Sequence, residues 1–367
     1  MRRYNFVLCL RAFQYLNGKH IVYHLKENKL TTIKIKKDLK MEIKTYYKEN
    51  DGMIWEEAPD EKAYIWRSAK NPLFDMKKSE HFWHICNSAA VMVDGKYVGV
   101  FRCEDKTGTP DLYVGKSENG FDWDLETTPI VFYNEDGTVF EKPYCYDPRL
   151  IKIDGVYYVV YCADIEGPSI YIAKTVDFKR FDMVPTGFLP FNRNGVLFPE
   201  KINGQYVMLN RPCDSGITVF GNMYISYSND MIYWGRHKLL MKNFHNDCYW
   251  ERIKIGAGPT PIKTEEGWLV IYHGVQATCN GVTYSMGVAL LDLEDPSIVK
   301  YRANRYLLAP EELYEIAGFT TNCIFPCSAL TDSNGRIAIY YGVADTNMAV
   351  AYTTVDKLLE FVKKYNG

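Results

Sequence analysis

The chain has 367 residues and a net charge of −2 at neutral pH, so it holds one large domain or two ordinary ones and has no global field that would attract nucleic acid. Its ten cysteines are scattered without a CxxC pair, which excludes a disulfide framework and favours reduced thiols in a cytoplasmic protein. The 29 tyrosines and 7 tryptophans fit a β-rich core as well as a surface on which sugars stack.

The first 40 residues differ from the rest, with ten Lys and Arg against only Glu27 and Asp38. A basic arm for nucleic acid or a membrane surface would have this composition, and so would an appended segment upstream of a true start at Met41. We expect the second, because no fold signal runs through the segment. The apolar run near the N-terminus is interrupted by Arg11 and no small-residue cleavage site follows, so we expect neither a signal peptide nor a membrane span.

A strand–turn–strand pattern recurs five times after this segment, at 88–102, 148–162, 197–211, 259–274 and 326–342. The turn glycines are 49 to 68 residues apart: Gly95, Gly155, Gly204, Gly267 and Gly335. Asp-Gly and Asn-Gly between alternating apolar runs are strong hairpin signals. Further strands follow each hairpin, and only the last dozen residues have a helical pattern. We predict an all-β, five-bladed β-propeller over 41–367 with a short C-terminal helix and an N-terminal extension over 1–40; a β-sandwich is the alternative.

In a propeller, residues that open the innermost strand of each blade and residues that close the next strand face a common rim. The residues predicted to open innermost strands are Asn87, Ser88, Asp147, Arg149, Phe198, Lys254 and Phe325. Those predicted to close the next strand are Arg102, Arg211, His273 and Asp345. The matching distances from the turn glycines, 7 residues for Arg102 and Arg211 and 6 for His273, favour this convergence.

Four basic residues on this rim carry the chemical interpretation: Arg193, Arg211, Lys254 and His273. Buried cations need partners, and the acids Asp147, Asp345, Glu200 and Glu251 are the candidates. If all the basic residues face inward they outnumber nearby acids, and such an excess fits an oxyanion, most often phosphate. His81, His84 and Cys86 follow no zinc spacing, so we expect no metal site.

Four motifs, taken together, resemble glycoside hydrolase family 130, the β-mannoside phosphorylases: "YDPRL", "NRNGVLFPEKINGQYVMLNRP", "KIGAGPTPIKTEEGWLVIYHGV" and "YYGVADT". The resemblance covers roughly residues 60 to 362 and does not include residues 1 to 40. It implies a five-bladed propeller that catalyses reversible, inverting phosphorolysis, in which a β-mannoside and phosphate yield α-mannose 1-phosphate and a free sugar.

The resemblance also implies roles for individual residues. Asp147 is the expected general acid, acting through the mannose 3-hydroxyl, and Arg149 is expected to orient Asp147 or a sugar hydroxyl. The expected phosphate ligands are Arg193, Arg211, Lys254 and His273. The expected sugar ligands are Asn87, Arg102, Arg149 and Asp345. Phosphate is then a co-substrate, and no cofactor is expected.

The substrate that the motifs favour is 4-O-β-D-mannosyl-D-glucose. Alternatives are phosphorolysis of β-1,4-mannooligosaccharides, hydrolysis by a β-mannosidase on the same fold, and a non-catalytic sugar-binding propeller. A β-mannosidase would lack the basic set and have a second catalytic carboxylate. The expected partners are a small sugar and phosphate, without nucleic acid or membrane, and homo-oligomer formation stays open.

Overall fold

A computed structural model describes residues 47–367 except 143, 214–220, 244–247 and 280, and also the backbone of three strands nearer the N-terminus. The chain divides into two units, residues 1–44 and residues 45–367. In the first unit, β1 (Phe13–Leu16), β2 (Lys19–Lys26) and β3 (Lys29–Thr32) pair as an antiparallel meander. These strands were not predicted from the sequence. The rest of the predicted extension lies outside the described residues.

The second unit contains five sheets, which we number as blades 1 to 5. The chain first forms β4 (Trp66–Arg67), which belongs to blade 5. Blade 1 follows, with β5 (Phe82–Val93), β6 (Lys96–Asp105), β7 (Pro110–Ser117) and β8 (Asp124–Leu125). Blade 2 contains β9 (Phe132–Tyr133), β10 (Cys145–Ile153), β11 (Val156–Asp164), β12 (Pro168–Thr175) and β13 (Phe181–Val184).

The remaining three blades repeat this order. Blade 3 contains β14 (Asn192–Leu197), β15 (Tyr206–Pro212), β16 (Met223–Ser228) and β17 (Gly235–Met241). Blade 4 contains β18 (Lys254–Ala257), β19 (Ile262–Thr264), β20 (Gly267–Thr278), β21 (Gly281–Leu291) and β22 (Val299–Arg302). Blade 5 contains β23 (Ile324–Thr331), β24 (Arg336–Val343) and β25 (Asn347–Thr354), completed by β4.

The sheets close into a ring. The first strands of blades 1, 2 and 3 contact one another in turn, β14 contacts β18, blade 4 contacts β23, and β23 contacts β5. This arrangement confirms the predicted five-bladed propeller. The ring is closed by β4, which pairs with β25 although it precedes blade 1 in the chain. Arg67 in β4 bonds both carboxylate oxygens of buried Glu315, at 2.8 Å each.

The hairpin turns behave as their sequences predict. Asp94 and Gly95 have φ of 51° and 79°, and Asp154 and Gly155 have φ of 50° and 83°. Positive φ at both central residues is the geometry of the type I′ hairpin turn, which Asp-Gly favours. The third repeat differs from its prediction, because β14 ends at Leu197. Phe198 therefore packs against Trp268 in the core, with ring centroids 5.2 Å apart, and was wrongly predicted to open a strand at the rim.

Short helical segments complete the described fold. α1 (Leu313–Ile316) precedes blade 5, α2 (Val355–Lys364) follows it as predicted, and 3₁₀ turns cover Lys48–Asn50 and Tyr249–Glu251. Helix α2 starts where the Thr354 hydroxyl accepts a hydrogen bond from the Lys357 amide. In the described part of the chain, no helix is long and apolar enough to cross a membrane, and none of the nine described cysteines forms a disulfide.

Candidate active site

The first strands of blades 1, 2 and 3 each have a bulge. The pairing register shifts between Cys86 and Ala89 in β5, between Tyr146 and Arg149 in β10, and between Arg193 and Val196 in β14. A β-bulge breaks the alternation of side chains and re-aims one of them.

Each bulge contains one residue with left-handed backbone. These are Asn87 with φ of 46°, Asp147 with φ of 52° and Asn194 with φ of 53°. Asn and Asp adopt this conformation more readily than other non-glycine residues. The three bulges therefore place a polar side chain from each blade in one central cavity.

The cavity has a volume of about 260 Å³. It is lined by Asn87, Arg102, Tyr144, Tyr146, Asp147, Arg193, Asn194, Arg211, Lys254, His273, Tyr284, Cys323, Phe325 and Asp345. Eight of the nine predicted site residues are in this lining, and Arg149 is the exception. The structure thus brings together the predicted acid, the predicted anion ligands and three of the four predicted sugar ligands.

One side of the cavity is organised around two carboxylates. Asn87 Nδ2 donates to Asp147 Oδ1 at 3.0 Å and to Asp345 Oδ1 at 2.8 Å, and Arg102 Nη1 donates to Asp147 Oδ1 at 2.9 Å. The Thr320 hydroxyl donates to Asp345 Oδ2 at 2.6 Å. No donor in the described ranges bonds to Asp147 Oδ2. One oxygen of Asp147 is thus held in place, and the other is available to a ligand.

A second group of lining residues is basic. Arg211 Nη1 lies 3.2 Å from His273 Nε2, and both residues are buried. Burial, together with the charge of Arg211, holds the pKa of His273 well below its usual value, so the ring is neutral and accepts the hydrogen bond. Burial and the same arginine lower the pKa of Lys254 from 10.5 to about 8.

These cations lack an acidic counterpart within the described part of the chain. No ion pair there includes Arg193, Arg211 or Lys254. Two of the candidate acids, Glu200 and Glu251, pair with other residues. Glu200 pairs with Lys263 at 2.5 Å and Glu251 pairs with Arg302 at 2.8 Å. Buried positive charge without a partner is costly, and an oxyanion with several acceptor oxygens would relieve that cost.

Arg149 lies outside the cavity and is only 2% exposed. Its Nε donates to the Gly258 carbonyl at 2.6 Å, and its Nη1 donates to the carbonyl of Asp147 at 3.1 Å. The bulge turns Asp147 into the cavity and leaves the guanidinium against the backbone of blade 4. Arg149 therefore lies away from the cavity that the other predicted sugar ligands line, and its bond to the backbone of Asp147 fits the other predicted role, orienting that residue.

Five lining residues were not predicted from the sequence, namely Tyr144, Tyr146, Asn194, Tyr284 and Cys323. Tyr144 and Tyr146 could have been found, because they occupy alternate positions directly before Asp147 in "YCYDPRL". Asn194 lies between Arg193, a predicted phosphate ligand, and Gly195, a local sequence typical of a bulge. Tyr284 and Cys323 have no sequence signal, since they reach the cavity from a third strand and from the start of blade 5.

The family model described as beta-1,4-mannooligosaccharide phosphorylase, of glycoside hydrolase family 130, matches residues 65–364. The chain belongs to glycoside hydrolase family 130. This family of mannoside phosphorylases is the one that the motifs resemble, and the suspected membership is confirmed.

Individual family 130 proteins are similar over most of the chain. A beta-1,4-mannooligosaccharide phosphorylase of Ruminococcus albus is 46% identical over 85% of this chain and 95% of the relative. A 4-O-beta-D-mannosyl-D-glucose phosphorylase of Bacteroides fragilis is 30% identical over 75% of this chain and 74% of the relative. The solved beta-1,2-mannobiose phosphorylase from Listeria innocua, in complex with beta-1,2-mannobiose, superposes with a TM-score of 0.71 at 27% identity, covering 82% of this chain and 99% of that chain.

Proposed function

We propose that this family 130 phosphorylase cleaves β-1,4-linked mannooligosaccharides with phosphate and with inversion, releasing α-D-mannose 1-phosphate and a shortened oligosaccharide. The observation that supports phosphorolysis is the cavity itself. It combines a fixed carboxylate, Asp147, with buried and partly buried basic residues that no described acid neutralises.

The proposed mechanism follows from the different tasks of the carboxylate and the basic side chains. Phosphate is already an anion, so it needs no general base, and the basic side chains hold it in line with the anomeric carbon. One phosphate oxygen bonds to that carbon while the glycosidic C–O bond breaks on the opposite face, which inverts the configuration. The departing oxygen takes a proton that originates from Asp147, through the mannose 3-hydroxyl in the route that the family resemblance implies.

The choice of mannooligosaccharide over mannosylglucose rests on similarity. Sequence motifs favoured 4-O-β-D-mannosyl-D-glucose, but the Ruminococcus albus relative is 46% identical and the Bacteroides fragilis relative is 30% identical. Mannosylglucose stays the second candidate, because the sequence motifs favour it. The basic group argues against a β-mannosidase, which would use water and need no anion site.

One assay separates these hypotheses. The purified protein is incubated with β-1,4-mannobiose, β-1,4-mannotriose or mannosylglucose, each with and without phosphate, and mannose 1-phosphate is measured. We expect phosphate-dependent product and a higher kcat/KM for the mannooligosaccharides, with no loss of rate in EDTA because we propose no metal. A higher kcat/KM for mannosylglucose would favour the second candidate. Mannose release without phosphate would indicate a β-mannosidase, and no turnover would indicate a binding protein.

A further inference from the structure

We propose that Asp164, which does not line the cavity, is a positioning residue that holds Arg193 in the phosphate site through Tyr146. This inference rests on the proposed function, since it assigns Arg193 to phosphate. Asp164 lies at the end of β11 in blade 2, whereas Arg193 lies in β14 of blade 3. The connection therefore crosses the boundary between two blades.

A chain of hydrogen bonds makes the connection. The Tyr146 hydroxyl donates to Asp164 Oδ1 at 2.9 Å, and Arg193 Nε donates to the Tyr146 oxygen at 3.3 Å. The Tyr144 hydroxyl donates to the other oxygen, Asp164 Oδ2, at 2.7 Å. The two tyrosine rings stack with centroids 5.6 Å apart, which keeps both hydroxyls on the same carboxylate.

The donor and acceptor properties of the three side chains determine the direction of each hydrogen bond. A guanidinium only donates and a carboxylate only accepts, so the single proton of Tyr146 points to Asp164 and its lone pair faces Arg193. Burial raises the pKa of Tyr146 well above its usual value and that of Tyr144 to about 12, so both remain protonated phenols at neutral pH. Asp164 thus makes Tyr146 an acceptor for the arginine.

The result is an arginine anchored at two points. Arg193 Nη1 also donates to the Cys213 carbonyl at 3.0 Å, so the Nε and Nη1 edges of the guanidinium are both held. Nη2 has no acceptor among the residues that the structure describes, and it belongs to a side chain in the cavity lining. Because the guanidinium is planar, these two hydrogen bonds fix its orientation and align the remaining N–H groups for a phosphate oxygen.

The substitution Asp164→Asn tests the direction of bonding with little change in shape. An amide offers one acceptor oxygen for two phenol donors, and its NH₂ group can only donate. If Tyr146 accepts from that NH₂ group, its proton turns toward Arg193 and the anchor is lost. We expect KM for phosphate to rise about tenfold, as for loss of one hydrogen bond to a charged group, while KM for β-1,4-mannobiose stays nearly constant.

The matched control is Asp182→Asn, which removes the same charge from an exposed pair with Arg180 in the same blade and should leave both KM values unchanged. Calorimetric titration with inorganic phosphate gives a readout besides activity, with weaker binding expected for Asp164→Asn alone. If Asp164→Asn fails to fold, Tyr146→Phe removes the same acceptor, and the same weakening of phosphate binding is expected.

The inference is overturned if Asp164→Asn, or Tyr146→Phe where the first variant does not fold, binds phosphate as the wild type does. It is also overturned if KM for phosphate and KM for the mannoside rise equally. Wild-type protein that binds phosphate without phosphorolysis would refute the proposed function and leave the inference standing. Wild-type phosphorolysis with unchanged phosphate binding in the variant would refute the inference alone.

Discussion

Replacement of Lys254 by Met is expected to stabilise the ligand-free protein while weakening phosphate binding. Burial and the charge of Arg211 lower the pKa of Lys254 from 10.5 to about 8. At 1.36 kcal/mol per pKa unit, this fall corresponds to an unfavourable charge energy of at most about 3 kcal/mol in the folded state. Methionine keeps the length of the side chain without the charge, so the variant no longer carries this cost.

The sign of the effect depends on pH. Because the pKa is lowered on folding, the unfolded chain holds this proton more tightly, and the cost is complete below about pH 8. It disappears as the pH rises from about 8 toward 10.5, where Lys254 is neutral in both states. The stability advantage of Lys254→Met is therefore expected to be largest near neutral pH and to vanish in strong base.

Thermal unfolding in a phosphate-free buffer at neutral pH measures the effect. Each kcal/mol shifts Tm by roughly 2–4 °C in domains of 150–250 residues, so a rise of a few degrees is expected for Lys254→Met. Added phosphate should raise the Tm of the wild type more than that of the variant, because the anion compensates the charge that the variant lacks. Lys263→Met is the matched control, since Lys263 pairs with Glu200 and its loss brings no such gain. A variant that is less stable than wild type, with an undiminished phosphate shift, would refute the reasoning.

Three further variants examine other parts of the cavity. Asp147→Asn is expected to lower kcat by about 10²–10⁴-fold with Tm retained, since it removes the general acid; unchanged phosphorolysis would place the acid elsewhere. Arg211→Ala is expected to raise KM for phosphate tenfold or more with little effect on KM for the mannoside, and equal effects would indicate a structural role. Gly342→Ala would place a methyl group against Asn87 Oδ1, so we expect lower kcat with phosphate binding retained. Gly235→Ala, at an open position, is its control, and equal losses of kcat in both variants would contradict this reasoning.

Local chemistry made much of the fold predictable. The Asp-Gly and Asn-Gly turns need positive φ at adjacent residues, a property of the dipeptide itself, and the flanking apolar alternation belongs to single strands. Closure of the ring was not predictable in the same way. β4 has two residues, too few for a periodic pattern, and its partner β25 lies at the other end of the chain.

The sequence also determines which residue types are available to the candidate site, but it does not determine where their side chains point. The positions of Asp147, Lys254 and His273 within the repeats place these residues on one rim. The bulge in β10 determines that Asp147 enters the cavity and that Arg149 does not. A shift of one residue exchanges the two faces of a strand, and nothing in the strand's own sequence determines its register at a bulge.

Contacts between blades determine which of the site side chains form hydrogen bonds with one another. Asn87 bonds Asp345 across 258 residues of sequence, and Tyr146 joins Asp164 of its own blade to Arg193 of the next. Such bonds form only when separate sheets pack side by side around the ring. The sequence by itself therefore determined which groups are present and that they meet, and the packing of the blades decided which of them touch.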